Sequence, residues 1–125
     1  MAFRIHWEQQ GILLERTGAE TFEIYQEIIA DLTQDARYDA IRYVLCDIRN
    51  AACGDEATFY EINEILATFM SRLFSERSFA IANVVSDLAS AVSSKHYATL
   101  ATHPFAIFTN MAEARNWVQT YLEKS

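Results

Sequence analysis

The sequence predicts an α/β domain: a mixed, mostly parallel sheet of five strands with helices packed on it. Two observations predict this class. After two short strand-like segments, apolar runs typical of buried strands alternate with segments whose apolar residues follow helical spacing. Only 3 glycines and 1 proline occur in 125 residues, which favours long regular elements joined by short turns. Because strands and helices alternate, the later strands are expected to run parallel, with right-handed crossovers.

The first two strands are predicted to form a hairpin. Residues 3–8 alternate apolar and polar side chains, which is the two-residue period of a strand with one solvated face. A turn then ends at Gly11, and the apolar residues 12–14 open a second strand that ends near residues 17–18. Strands this close along the chain pair as an antiparallel hairpin, so the first strand is expected to be antiparallel in the sheet.

Helices and strands alternate along the rest of the chain. Residues 35–39 are predicted to be a polar connector, and Asn110 with Glu113 is typical of a helix capping box. The predicted helices cover residues 20–34, 56–76, 88–100 and the stretch after Asn110. The predicted strands cover residues 42–49, 79–85 and 105–108. The order of elements is therefore ββαβαβαβα.

Length and charge limit the classes of function. The chain is long enough for one domain, residues 1–125, and too short for two. Its net charge of −7, with no basic segment, makes nucleic acid and anionic membrane surfaces poor partners. No window approaches the roughly 20 apolar residues of a membrane span, and the amino terminus lacks the apolar core of a signal peptide. The two cysteines lack zinc-site spacing. We expect a reduced cytoplasmic protein that holds no metal or cofactor.

Polar residues cluster where the predicted parallel strands end. The strand over residues 42–49 carries a carboxylate near its end, and a short loop and a long helix follow it. Open α/β sheets place their ligand crevices at the carboxyl ends of strands. We therefore expect a rim there that holds a small ligand or orients a protein partner. Its predicted members are Asp47, Arg49, Asn50, Cys53, Thr58, Ser86 and Thr109.

Structural roles compete with these functional ones. The favoured interpretation of Asp47 is structural: its carboxylate accepts hydrogen bonds from the amides of the next loop and simply holds the turn. Arg49 is either a surface charge or an ion-pair partner of Asp47. Cys53 precedes a helix, which lowers the pKa of a thiol, but Asp55 and Glu56 act in the opposite direction. A nucleophilic role for Cys53 is therefore not expected.

The three histidines do not assemble a catalytic set with the rim. His6 falls on the polar face of the first strand, His96 near a helix end, and His103 before a proline. The strand directions put His103 at the opposite edge of the sheet from Asp47, which disfavours a Ser/His/Asp or Cys/His arrangement. We expect surface or capping roles for all three histidines, and no catalytic residue in the chain.

The helix over residues 56–76 has a wider apolar face than one contact with the sheet requires. Its neighbour, residues 88–100, is rich in alanine and serine, so the two helices pack unevenly. Three interpretations stay open: ordinary core, a homodimer or partner face, or a pocket for an apolar ligand. Glu61 and Glu64 are predicted to lie on the solvated side of this helix. The apolar face comprises Ile62, Ile65, Phe69 and Met70.

Three segments carry a resemblance to a known family. Residues 11–18 with Thr21, residues 38–47, and residues 105–118 are similar to the corresponding parts of the STAS superfamily, in its SpoIIAA-like branch related to anti-sigma factor antagonists. The resemblance implies a non-enzymatic module of the bacterial cytoplasm that regulates by binding a protein partner. We expect the partner to bind a face formed by the helix over residues 56–76 and the loop around residues 50–58. That branch is also compared with CRAL-TRIO lipid carriers, which implies an alternative: an apolar ligand or lipid held between sheet and helices.

The chain departs from the family pattern at the start of the helix after the central strand. Antagonists of this branch carry a serine there, which a partner kinase phosphorylates. Residues 52–57 contain no serine, and the nearest hydroxyl is that of Thr58. Asp55 and Glu56 already occupy the place where the helix dipole would favour a phosphate. A phosphorylation switch of the usual kind is therefore not expected.

Overall fold

A computed structural model describes residues 3–19, 21–52, 61, 63–64, 67–68, 80–87, 92–101 and 103–124 of the chain. The strands are β1 (Phe3–Trp7), β2 (Gly11–Ala19), β3 (Tyr43–Ala52), β4 (Ala80–Val84) and β5 (Phe105–Phe108). The helices are α1 (Phe22–Gln34), a 3₁₀ helix (Ala36–Ala40), α2 (Val92–Leu100) and α3 (Met111–Lys124). Residues 61, 63, 64, 67 and 68 are also helical, within the helix predicted over residues 56–76.

The five strands form one sheet in the order β1-β2-β3-β4-β5. β1 is antiparallel to β2, and the pairs β2–β3, β3–β4 and β4–β5 are parallel. The predicted fold class, the antiparallel first strand and the parallel remainder are thereby confirmed. Because each parallel strand is added on the same side of the previous one, right-handed crossovers carry the connecting helices over one face.

The side of the sheet that the crossovers cover, which we call the α1 face, holds the first core. Ile12 and Leu14 of β2 and Val44 of β3 form a buried cluster with Ile28 and Leu32 of α1. These side chains share a face because successive residues of a strand point to opposite sides. α2 also lies on this side, through the ring of Tyr97 against that of Phe105, with 4.9 Å between the ring centroids.

The last helix covers the other side of the sheet, which we call the α3 face. Tyr43 and Leu45 of β3 and Val84 of β4 form a second buried cluster with Ala114 and Val118 of α3. Leu45 and Val84 have no exposed surface. The helix follows β5, the last strand, so no further strand constrains its crossover, and it closes the face that the other helices leave open.

Side-chain caps fix the beginnings of two helices. Thr21 precedes α1 and accepts a hydrogen bond from the amide of Ile24, with 3.3 Å between N and Oγ1. Asn110 precedes α3 and accepts from the amide of Glu113 at 2.8 Å. Each cap satisfies an amide that has no partner inside its helix. The predicted role of Asn110 is therefore confirmed for the asparagine half of the capping box.

Apart from shifts of one or two residues at the ends of elements, two segments differ from the sequence predictions. β3 does not end at residue 49: residues 50–52 continue it and pair with residues 17–19 of β2. The extension depends on Gly18, whose φ of 75° prolongs β2 in a conformation that other residues rarely adopt. The connector over residues 35–39 is a 3₁₀ helix, capped by Asp35, that buries Tyr38. In both places a long-range partner outweighs the local polar pattern.

A close contact joins the start of β2 to the start of β3. Gly11 is buried directly against the ring of Tyr43, and a Cβ at Gly11 would lie only 2.5 Å from ring atoms. The Tyr43 hydroxyl donates a short hydrogen bond to Glu8, and Arg115 of α3 binds the same carboxylate with both terminal nitrogens, at 3.2 and 2.8 Å. The ring and this cluster together fix α3 to the amino end of β3.

Replacing Gly11 with alanine is expected to destabilise the fold by about 2 kcal/mol, because the added Cβ overpacks the site against Tyr43. The free energy of unfolding from urea denaturation measures the loss. In a Tyr43→Leu background the ring is gone, and the same change is expected to cost less than half as much. An equal cost of Gly11→Ala in both backgrounds would show that the contact does not limit this position.

Candidate functional site

The carboxyl ends of the parallel strands β3, β4 and β5 lie side by side at one end of the sheet. Asp47 of β3 is paired with Val84 of β4, and Val84 with Phe108 of β5. Beyond this level the amide of Val85 donates to the carbonyl of Phe108 at 2.8 Å. Ser86 and Thr109 follow and are exposed, as are Arg49 and Asn50 of β3. We call Asp47, Arg49, Asn50, Ser86 and Thr109 the carboxyl rim.

A bulge in β3 shapes this rim. Glu15 pairs with Asp47 and Thr17 with Asn50, so one residue of β2 stands opposite two residues of β3. A bulge of this kind bends the strand and changes the direction in which its side chains point. Asp47 therefore lies at the end of the β3–β4 ladder but not at the end of β3, which continues beyond it along β2 alone.

Asp47 and Arg49 form a two-pronged ion pair. The guanidinium donates from Nε to Oδ1 and from Nη2 to Oδ2, each at 2.9 Å, and the Arg49 amide also donates to Oδ1 at 3.2 Å. Of the two alternatives for Arg49, the structure has the ion pair. The Asp47 side chain is 14% exposed and that of Arg49 is 41% exposed, so the pair presents its cationic side to solvent.

The ion pair determines what chemistry Asp47 is able to perform. The hydrogen bonds from Arg49 hold the pKa of the Asp47 carboxyl below its usual range, although partial burial acts in the opposite direction. The carboxylate therefore stays ionised at neutral pH with both oxygens occupied, which suits neither a general acid nor a nucleophile. Asp47 and, more weakly, Glu15 raise the pKa of Arg49, which remains a cation. The geometry therefore disfavours proton transfer by Asp47.

The same ion pair occurs a second time, at the opposite end of β3. Asp35 and Arg37 have the same spacing, and the guanidinium again donates to both carboxylate oxygens, at 3.0 and 2.8 Å. Arg37 precedes β3 and lies over the ring of Trp7, with 4.5 Å from Cζ to the ring centroid. The Asp35–Arg37 pair therefore has the same hydrogen-bonding geometry as the Asp47–Arg49 pair but lies at the opposite end of the strands.

Arg16 is a buried residue that sequence reasoning missed. It lies opposite the bulge, is 1% exposed, and places Cζ 4.7 Å from the centre of the Tyr25 ring on α1. A cation over an aromatic face is a favourable arrangement, more so away from water. The two-residue alternation of β2 is the sequence feature that predicts this burial. Residues 12, 14 and 16 point to the α1 face, so Arg16 faces inward like the two apolar residues before it.

Hydrogen bonds connect α2 to the rest of the protein. Asn83 of β4 donates from Nδ2 to the hydroxyl of Ser94 at 3.1 Å, and Asn63 lies 3.1 Å from Nδ1 of His96. Ser94 and Asn63 are 3% and 5% exposed. The sequence feature that indicates these contacts is Asn83, a polar residue inside the otherwise apolar strand β4. Polar contacts here take the place of the apolar stripe that this alanine- and serine-rich helix lacks.

His103 is buried, and the prediction of a surface or capping role for it is wrong. Its Nδ1 lies 3.0 Å from the carbonyl oxygen of Pro104 and its Nε2 lies 2.9 Å from the Tyr97 hydroxyl. Since a carbonyl only accepts, Nδ1 carries the proton and Nε2 accepts from Tyr97. Burial lowers the pKa of His103 and raises the pKa of Tyr97. The sequence context, a histidine before a proline, gave no sign of the Tyr97 ring above it.

The other predicted residues stand as follows. His6 is exposed, and its Nε2 lies 3.1 Å from Oε1 of Glu15. Glu61 and Glu64 are exposed, as predicted for a solvated helix side. His96 is half-buried rather than on the surface. Six residues lie outside the described part of the chain, and their roles stay predictions: Cys53, Thr58, Ile62, Ile65, Phe69 and Met70.

A cleft of about 310 Å³ lies on the α3 face, between β3 and α3. Tyr43, Leu45 and Val118 form its apolar side, and Arg115 and Gln119 are among its polar residues. It lies beside the last helix, whereas the apolar-ligand interpretation concerned the helices over residues 56–76 and 88–100. The guanidinium of Arg115 is already bound by Glu8, so the cleft presents no unbalanced cation from this residue.

The described residues contain neither a metal-binding cluster nor a membrane-spanning helix. These ranges contain no group of three or more His, Cys, Asp or Glu side chains placed to hold a metal ion. Nor does any helix within them have the length and apolar character of a membrane span.

Comparison with solved structures identifies the fold. An uncharacterized protein of the DUF3478 family with a SpoIIAA-like fold, from Shewanella loihica PV-4, is similar over 93% of this chain and 91% of its own, with a TM-score of 0.65 and 17% identity. The anti-sigma factor antagonist SpoIIAA, in its unphosphorylated form, is similar over 95% of this chain and 97% of its own, with a TM-score of 0.62 and 13% identity. No family model and no curated protein matches the sequence. The chain therefore has the STAS-like fold of SpoIIAA, as the resemblance in the sequence implied.

Acid is expected to weaken the fold through His103. Burial lowers its pKa in the folded state below the value near 6.5 of an unfolded chain, so the contribution is present above about pH 6.5 and lost as the pH falls through the folded pKa. Urea denaturation of wild type and His103→Gln from pH 8 to pH 5 measures it. The variant, about 1 kcal/mol less stable at pH 8 through a weakened buried hydrogen bond, is expected to approach the wild type at pH 5. Parallel pH profiles would contradict this assignment.

Proposed function

We propose that this chain is a non-enzymatic STAS-like binding module of the bacterial cytoplasm, and that it regulates a protein partner that docks on the carboxyl rim. The observation that carries the proposal is the exposed, ion-paired Arg49 at the carboxyl edge of a SpoIIAA-like sheet. In this position a fixed cation and neighbouring hydroxyl and amide groups are available to a partner without any change in the fold.

The fold supports the class of partner. SpoIIAA is an anti-sigma factor antagonist, and the two chains are similar over almost their full lengths. A protein with that role acts by binding another regulatory protein. We therefore infer that the partner of this chain is a regulator of the anti-sigma factor kind. The absence of a serine in residues 52–57 means that control of such binding does not use the usual phosphorylation site.

The rim supports the place of docking. Arg49 is held by its own aspartate in a fork geometry, so little side-chain entropy remains to be lost when a partner carboxylate or carbonyl approaches it. Asn50, Ser86 and Thr109 are exposed at the same edge and supply neutral donors and acceptors. A charged centre with neutral polar surroundings suits a specific protein contact.

The chemistry of the described polar groups supports a binding role over an enzymatic one. Asp47 is engaged by Arg49 at both oxygens and keeps a lowered pKa. The Tyr97–His103 pair resembles part of a catalytic relay, but it is buried beside Pro104 at the amino end of β5. The rim lies at the carboxyl end, so these groups do not share a reaction centre.

The alternative, an apolar ligand between sheet and helices, receives less support. Beside α2 the described interior of the α1 face contains Asn83, Ser94 and Asn63, whose polar atoms are hydrogen-bonded to each other or to His96. An acyl chain inserted there would leave those polar atoms without hydrogen-bond partners, at a cost of about 1–3 kcal/mol for each. The lipid alternative, and a homodimer through Ile62, Ile65, Phe69 and Met70, both stay predictions.

Reversal of the Arg49 charge is expected to weaken partner binding at least tenfold. The partners to test are the purified anti-sigma factors encoded in the source genome, titrated calorimetrically against wild type and Arg49→Glu. A tenfold loss corresponds to about 1.4 kcal/mol, a typical value for one charged contact in an interface.

Arg37→Glu is the matched control, because it breaks an equivalent ion pair at the other edge of the sheet. It is expected to bind within twofold of wild type. The proposal fails if none of the anti-sigma factors binds, or if Arg49→Glu and Arg37→Glu have the same effect on the dissociation constant.

A further inference from the structure

β1 is an edge strand whose outer side is available. Among the described residues it pairs with β2 alone, and the sheet order places it at one end. Natural proteins protect such edges with proline, bulges or charged residues, because the unpaired amides and carbonyls otherwise pair with another chain. β1 has no proline and no register shift against β2.

The hairpin fixes which backbone groups point outward. The amide of Glu8 donates to the carbonyl of Gly11 at 2.8 Å, so residues 8 and 11 form a hydrogen-bonded pair next to the turn. Hydrogen-bonded and non-hydrogen-bonded pairs alternate along an antiparallel ladder. Arg4 and His6 therefore direct their backbone groups toward β2. The amides and carbonyls of Phe3, Ile5 and Trp7 point away from the sheet.

The outward amides and carbonyls of β1 are able to form hydrogen bonds with those of a second β1 strand. If a second β1 approaches antiparallel, with Ile5 opposite its own copy, Phe3 stands opposite Trp7 and Trp7 opposite Phe3. Each of these three pairs then exchanges two hydrogen bonds. A twofold axis through Ile5 satisfies all the outward groups of the strand, with the same surface used on both copies.

The side chains agree with the same register. Phe3, Ile5 and Trp7 are half-buried on the α1 face, so two aromatic cross-strand pairs would cover apolar surface that one copy leaves partly exposed. On the α3 face, Arg4 would stand opposite His6 of the other copy, next to the His6–Glu15 pair. Glu15, whose carboxylate lies 3.1 Å from Nε2 of that His6, supplies an acidic group that complements the charge of Arg4.

We propose that two copies of this chain dimerise through β1, antiparallel about Ile5, and join their sheets into one continuous sheet. The partner is a second copy because the hydrogen-bonding phase, the aromatic pairs and the charges all fit the same twofold register. The carboxyl rim on β3, β4 and β5 is not part of this surface. The dimer is therefore independent of the proposed function, and either can fail alone.

An Ile5→Pro substitution is expected to weaken the dimer without preventing the chain from folding. Only the outward amide is lost in Ile5→Pro, and proline is tolerated on an edge strand where its nitrogen faces solvent. Ile5→Val is the matched control, because valine has a similar side-chain size and keeps the amide. Sedimentation velocity from micromolar to submillimolar concentration is expected to show a dimer for wild type and Ile5→Val, and at least a tenfold larger dissociation constant for Ile5→Pro.

Amide hydrogen exchange, read by NMR on the wild-type protein, gives a second measurement that needs no variant. In the dimer the amides of Phe3, Ile5 and Trp7 are expected to exchange as slowly as those of Arg4 and His6, and faster on dilution. A wild type that stays monomeric at all concentrations overturns the proposal. So does a dimer in which the three outward amides exchange rapidly, since its interface then lies on another surface. If Ile5→Pro does not fold, the exchange rates decide.

Discussion

Strand β3 supports both hydrophobic cores, and the rest of the structure depends on its position. It lies third of five strands, with parallel neighbours on both sides. Its alternate residues point to opposite faces, so Tyr43 and Leu45 join the cluster under α3 while Val44 joins the cluster under α1. A shift of one residue in its register would turn each set of side chains to the opposite face of the sheet, so that neither set would pack against its own helix. The same register determines where the carboxyl rim lies, because Asp47 is level with Val84 on β4.

Polar groups inside and around this sheet are arranged as small, nearly complete sets. The rim pair occupies both oxygens of Asp47, and Arg115 with Tyr43 does the same for Glu8. Buried polar groups are costly unless hydrogen-bonded, and these partners remove that cost. In α2, the Ser94 hydroxyl is hydrogen-bonded to Asn83 of β4, and Nδ1 of His96 lies 3.1 Å from Asn63.

Both proposed contacts of this chain lie on its surface. The similarity to SpoIIAA concerns the backbone, at an identity too low to transfer individual residues. The two proposed contacts therefore rest on residues of this chain: the ion-paired Arg49 at the carboxyl rim, and the outward backbone groups of β1. The two surfaces use different strands, so a contact on one leaves the hydrogen bonds of the other intact.

The sequence by itself determined what depends on neighbours along the chain. Two-residue alternation and apolar runs located the strands, and short spacing predicted the β1–β2 hairpin. Asn110 acts as a cap because its hydrogen-bond partner, the amide of Glu113, lies three residues away. The parallel arrangement followed from the alternation of helices and strands, which admits few topologies.

Only the tertiary structure decided what depends on distant partners. β3 continues to Ala52 because β2 lies beside it, and His103 is buried because Tyr97 covers it. The inward position of Arg16 was readable from alternation, but its stabilising contact, the ring of Tyr25, belongs to another element. A residue's local pattern states which way it points. Which group it meets there depends on segments that are remote in the chain and close only after folding.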